Sequence, residues 1–207
     1  METGELLVIC SSCCIFLSIV VMALAILFKK DVCAKLKVPL LCTSSSSSAS
    51  TSLPTSWTAA NATYYESFAT CCQGTPVYDP KAPKDECTKY NACTYLGQFT
   101  GLDGKLTYEQ VKARNIASVF HAPTQKNQKR DMAWWKSTIK GRRIEVRYGK
   151  KTMILDALDT CGEWDCDRCC SKNAHQTTGW LLDLEIHTAK RFWGGKPKNA
   201  KVEFRFL

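Results

Sequence analysis

Apolar and polar side chains alternate along Ile144, Glu145, Val146, Arg147 and Tyr148, the period of a strand with one buried and one wet face. Tyr148-Gly149-Lys150-Lys151 reads as a tight turn, with glycine supplying a positive φ. Residues 153–158 are richer in apolar side chains, as in a strand covered on both faces. A short helix is predicted after Asp183, with Ile186, Ala189 and Trp193 near one face. Lys190 and Arg191 fall in its last turn and Gly194 caps its end, which leaves His187 on the surface. Val202, Glu203, Phe204, Arg205 and Phe206 alternate again and predict a final strand. Residues 110–120 predict a short helix, with Val111, Ile116, Val119 and Phe120 roughly on one side.

The pattern changes character towards the other end. Residues 6–28 are an uncharged apolar run long enough to cross a bilayer of about 30 Å as a helix. Glu2 and Glu5 precede it and no basic residue does, so it reads as a retained anchor rather than a cleaved signal peptide. Residues 43–58, with serine at every position from 44 to 48, read as a flexible spacer. The organisation is then a transmembrane anchor (1–30), a juxtamembrane segment and Ser-rich linker (31–58), an irregular Cys/Pro segment (59–86) and a folded domain (87–207).

Charge and cysteine content pull in different directions. The formal net charge is +9, which favours an acidic or polyanionic partner. Lys29, Lys30, Lys35 and Lys37 follow the anchor, and the positive-inside rule then places the bulk of the chain on the cytosolic side. Ten of the thirteen cysteines lie beyond the anchor, an even number, and argue for an oxidising compartment. The conflict is met by a lumenal or extracellular domain, by a cytosolic one with thiols or metal, or by an oxidised domain on the internal membrane of a large cytoplasmic virus. Cys71, Cys72, Cys87, Cys93, Cys161, Cys166, Cys169 and Cys170 are the disulfide candidates. Cys166-x2-Cys169 also has zinc-ligand spacing, and Cys161 or Cys170 would add thiolates. No second widely spaced pair of that kind is present and His175 is the only nearby histidine, so disulfides are preferred and no metal or cofactor is assigned.

Trp134 and Trp135 sit within the most basic stretch, 126–143. With Lys136, Arg142 and Arg143 they make a candidate patch for sugars or anions, against the plainer reading of a solvated loop with one tryptophan in the core. None of the usual nucleic-acid-binding motifs is present, nor is a Ser-His-Asp order, a phosphate loop or a His-Glu-x-x-His motif. Asn61-Ala62-Thr63 matches a glycosylation sequon.

The order strand, short turn, strand closing on Asp159-Thr160-Cys161, variable loop, Leu182-Asp183-Leu184-Glu185, short helix and Trp193-Gly194 resembles the barwin, expansin and RlpA-like proteins. The resemblance implies a mainly β fold: a six-stranded double-psi β-barrel with short helices, here preceded by one transmembrane helix and a flexible linker. It places the first strand in the region from 87 to 121. It also implies that Asp159 and Asp183 line one polysaccharide groove, where a raised pKa suits a general acid. Against catalysis, Asp183 stands where a carboxylate caps a helix, and Asp159 where aspartate closes a turn. The bacterial expansin aromatic two positions beyond the first Asp is Cys161 here, and the serine of Leu-Asp-Leu-Ser is Glu185. The expectation is a single-pass membrane protein, held in the lipid bilayer by residues 6–28. Its barrel docks a protein shell or a polysaccharide layer without catalysis, for example as a minor capsid protein of a virion with an internal membrane. The alternative is an expansin-like wall-loosening or lytic protein at a cell surface.

Overall fold

Six strands, β1 (Thr58–Tyr65), β2 (Ile116–His121), β3 (Arg143–Tyr148), β4 (Lys151–Asp159), β5 (Trp180–Glu185) and β6 (Ala200–Phe206), close a barrel in the order β1-β5-β2-β4-β3-β6. This computed structural model describes residues 52–122, 128–163 and 166–207. The expected membrane segment and most of the spacer lie outside them. Among the described residues no helix is long and apolar enough to cross a membrane. The sheet is mixed: β1 runs parallel to β5 and β2 parallel to β4, and the other neighbours are antiparallel.

Alternation decides what points inward. Ile144 and Val146 from β3 and Val202, Phe204 and Phe206 from β6 enter the core, while Arg147, Glu203, Glu145 and Arg205 pair on the outside. Tyr148 and Lys151 face each other across a two-residue turn in which Gly149 has φ 58°. The double burial expected of β4 holds only at its end. Leu155, Ala157 and Leu158 are buried, whereas Ile154 is 41% exposed, because none of the described residues covers the outer face of the β3–β4 hairpin there. The terminal helix (Ile186–Trp193) forms where expected, ends at Gly194 with φ 78°, and buries Thr188, Ala189 and Phe192.

Two strands lie where other structure was expected. β1 falls in the linker and irregular segment, well before residue 87. Its Ala60 and Ala62 are fully buried but too small to give a strong alternation, so the two neighbouring ladders make it a strand. Residues 110–120 divide: a helix (Tyr108–Ala113) stops at Arg114, and Ile116 opens β2. Ile116, Ala117, Ser118, Val119 and Phe120 are all buried, since β2 is covered on both faces, and such a continuous run carries no strand period. Residues Gln128–Thr138 form a helix rather than a loop, and it sends Trp135 into the core.

Two stapled caps cover the outer face of the β1-β5-β2-β4 half. Residues 66–113, held by Cys71–Cys87 and Cys72–Cys93, pack Phe99 and Val111 on Ile116 and Leu158. Residues 161–179, held by Cys161–Cys170 and Cys166–Cys169, pack Cys170 and Ala174 on Phe120, Ala122 and Leu181. All eight candidate cysteines of the described residues are paired in this way.

Candidate functional site

Between the two caps the same outer face carries polar residues. Register places Thr63 of β1 opposite Asp183 of β5, Asp183 opposite Ser118 of β2, and Ser118 opposite Asp159 of β4. Partners in register share a face, so the four side chains form one row across four strands. Along β2 the row is bounded by Ile116, which belongs to one apolar cap, and by Phe120, which belongs to the other. A slip in register between Ala117 and Ser118 brings Asp159 into the row.

Thr63 donates its hydroxyl to Asp183 Oδ1 at 2.7 Å. The Asp183 pKa is pushed up to about 6, chiefly by burial and also by the charge of Asp159, while the Thr63 hydrogen bond pulls it down. Asp159 Oδ1 accepts from the backbone N–H groups of Thr160 at 2.9 Å and Thr100 at 3.1 Å, which ties the corner of β4 to the first cap. Asp159 also lines a groove of about 590 Å³, together with Tyr95, Phe99, Thr100, Thr160 and Gly162. Asp183 is not part of that lining. Tyr95 is 57% exposed at the groove edge. Gly101 lets the loop of the first cap close onto β4. Its N–H donates to Leu158 O at 2.8 Å, and a Cβ there would stand 2.8 Å from the same oxygen.

The structure separates two roles that the sequence assigned to one residue. Glu185, not Asp183, caps the terminal helix: its carboxylate accepts from His187 N at 2.7 Å and from Ser67 Oγ at 3.0 Å. Burial raises the Glu185 pKa and these hydrogen bonds oppose the rise. Asp183 lies two residues earlier, within β5, and bonds sideways to β1. Tyr65 has no counterpart among the expected site residues. Its hydroxyl is buried without a hydrogen-bond partner among the described residues, and its pKa is pushed well up by burial and by Asp159, Asp183 and Glu185. Ser118 Oγ is likewise buried and has no partner among the described residues. Tyr65 and Ser118 carry no motif; only the strand register brings them to the site.

The tryptophan patch does not assemble. Trp135 is fully buried and donates Nε1 to Val119 O at 3.0 Å, and Trp134 is half-buried near the His121 ring. Lys136, Arg142 and Arg143 are exposed, with Arg143 3.9 Å from Asp156. Asn61 is 5% exposed inside β1, which leaves no room for a glycan. His121 stacks on Trp180 at 4.0 Å, and burial lowers its pKa to about 4.

Fold and site define a small disulfide-capped mixed β-barrel with paired carboxylates beside an open groove. No protein-family model matches the chain and no curated protein matches it. Among solved structures, a Streptomyces papain inhibitor aligns over 74% of this chain and 96% of its own at 14% identity, with a TM-score of 0.35. So loose a likeness carries no argument.

Proposed function

We propose that this is a membrane-anchored protein whose barrel, a double-psi barrel of the barwin, expansin and RlpA-like type, engages a polysaccharide strand in the groove beside Asp159. The observation that carries the reading is the row Thr63–Asp183–Ser118–Asp159 ending in an open groove edged by Tyr95. An exposed tyrosine ring stacks on a sugar face, and carboxylates accept from sugar hydroxyls. A glycan held by such contacts exchanges its bonds to neighbouring glycans for bonds to the protein, which loosens a wall without cleaving it. With its pKa near 6, Asp183 also holds a proton over part of the neutral range. It stands back from the groove lining, and the reading therefore stops at binding and loosening.

A protein partner, such as the shell of a virus with an internal membrane, is the second reading. It is favoured by Cys161 and Glu185, which are committed to a staple and a helix cap where the resembling families carry an aromatic and a serine. The test is co-sedimentation with insoluble cellulose, chitin and peptidoglycan, alongside release of reducing ends. Binding that Tyr95→Ala and Asp159→Asn each weaken about tenfold, without release, is the expected result. Absence of binding to all three would remove the glycan reading in favour of the protein one. Release abolished by Asp183→Asn would make the chain a lytic enzyme.

A further inference from the structure

The second cap holds more than two staples. The Sγ atoms of Cys161, Cys166, Cys169 and Cys170 all lie within 4.8 Å of one another, although they belong to two separate disulfides. Cys166 Sγ and Cys170 Sγ, which are not bonded to each other, are 3.9 Å apart. A zinc ion bound by four thiolates has Zn–S distances of about 2.3 Å, and its tetrahedral sulfur–sulfur edges are then about 3.8 Å. Of the four non-bonded edges, the one between Cys166 and Cys170 already has that length, and the other three are no longer than 4.8 Å.

What would keep the sulfurs together after the disulfides open is visible in the backbone. Glu163 O accepts from Arg168 N at 3.0 Å, and Glu163 Oε1 accepts from Ser171 N at 3.1 Å and from the Ser171 hydroxyl. These bonds close the loop from Cys161 to Cys170 without sulfur. Asp167 and Arg168, with φ of 50° and 64°, turn the chain tightly between Cys166 and Cys169, and Cys169 N bonds back to Cys166 O at 3.2 Å. The short helix Cys169–Ala174 then seats Cys170 and Ala174 on Phe120, Ala122 and Leu181. Cys170 is fully buried, while Cys161, Cys166 and Cys169 keep partial exposure, which gives an ion a way in. In the first cap, by contrast, the cluster within the same span comprises only Cys71, Cys72 and Cys87.

We propose that the Cys161, Cys166, Cys169 and Cys170 cluster is a redox-gated metal site, which as four thiols takes up one Zn2+ in place of its two disulfides. A dithiol reductant delivers two electrons and two protons to each disulfide and is itself oxidised to a disulfide, leaving four thiols. Zn2+ then forms four Zn–S bonds and displaces four protons to solvent. The cap keeps its place on β2 and β5 in either compartment, stapled by sulfur where conditions oxidise and by metal where they reduce. The proposal does not depend on what the groove binds.

The test uses the full-length chain, reduced with dithiothreitol, desalted without air and titrated with Co2+, whose tetrahedral thiolate complexes absorb in the visible. The reduced wild type is expected to take up about one equivalent with the intense band of a four-sulfur site, bleached by Zn2+. The oxidised chain is expected to show none. Cys71→Ser with Cys87→Ser should leave the band in place, and Cys166→Ser with Cys169→Ser should abolish it. Should the latter pair unfold the cap, Cys169→His keeps a fourth donor and should retain the metal with a shifted band. No band in the reduced chain, an equal band in the oxidised chain, a band unmoved by Cys169→His, or one lost only with Cys71 and Cys87 would overturn the proposal.

Discussion

Asp183 is a site where the fold works against itself, and removing the charge should stabilise the protein. The folded chain holds the Asp183 proton with a pKa near 6 against an ordinary value of 3.8. At about 1.4 kcal/mol for each tenfold in proton affinity, the ionised carboxylate costs at most about 3 kcal/mol of folding stability. Asp183 keeps some contact with solvent, which brings the figure to about 1–3 kcal/mol. The folded state binds the proton more tightly than the unfolded state. The group therefore costs nothing below its unfolded pKa, and stability falls as pH rises through about 6. Asp183→Asn is neutral at every pH and still offers Thr63 an oxygen. At pH 8 the variant should melt about 2–12 °C above the wild type, since a domain of this size gains about 2–4 °C per kcal/mol. The two melting temperatures should converge towards pH 4. Paired thermal melts from pH 4 to pH 8 decide the matter. A variant that melts below the wild type at pH 8, or a difference that does not change with pH, would refute the reasoning and make Asp183 a structural residue.

Trp135→Ala should cost about 3–5 kcal/mol in urea denaturation, because it empties a fully buried site and removes one of the two side-chain donors to Val119 O, whereas Trp134→Ala should cost about 1 kcal/mol or less. Gly101→Ala should cost about 1–3 kcal/mol by the same measure, since its Cβ meets Leu158 O at 2.8 Å and the Trp135 ring at 3.3 Å; Gly104→Ala, with open space around it, should be close to neutral. Glu185→Ala should lower stability by about 0.5–2 kcal/mol through loss of the helix cap, and Glu185→Gln should recover most of it in thermal melts.

The sequence was most readable where alternation is strong and one face is wet. β3, its turn, β6 and the terminal helix with Gly194 all meet that condition. β1 was missed because two of its core positions are alanines and it follows a serine-rich run, so neither side-chain size nor composition marks it. β2 was missed because both its faces are covered. Of the candidate site, Asp159 and Asp183 were legible through the resemblance. Thr63, Ser118 and Tyr65 were not, since they reach the carboxylates only through a register between strands remote in sequence. The helix-cap role was assigned to Asp183 rather than Glu185 because the sequence does not show that β5 continues through residue 185.

β1 lies between β5 and β6, so the first strand of the barrel finds its neighbours only in the last two. Thr63 reaches Asp183 across a sequence separation of 120, while the four disulfides of the described residues span separations of 16, 21, 9 and 3. During synthesis both caps can close locally long before the barrel does, and β1 must wait as an unpaired strand at least until β5 has left the ribosome. Closure is thus a late and slow step, which waits for β6 as well. Until it is taken, the waiting strand is the part of the nascent chain most open to a chaperone or to pairing with another copy.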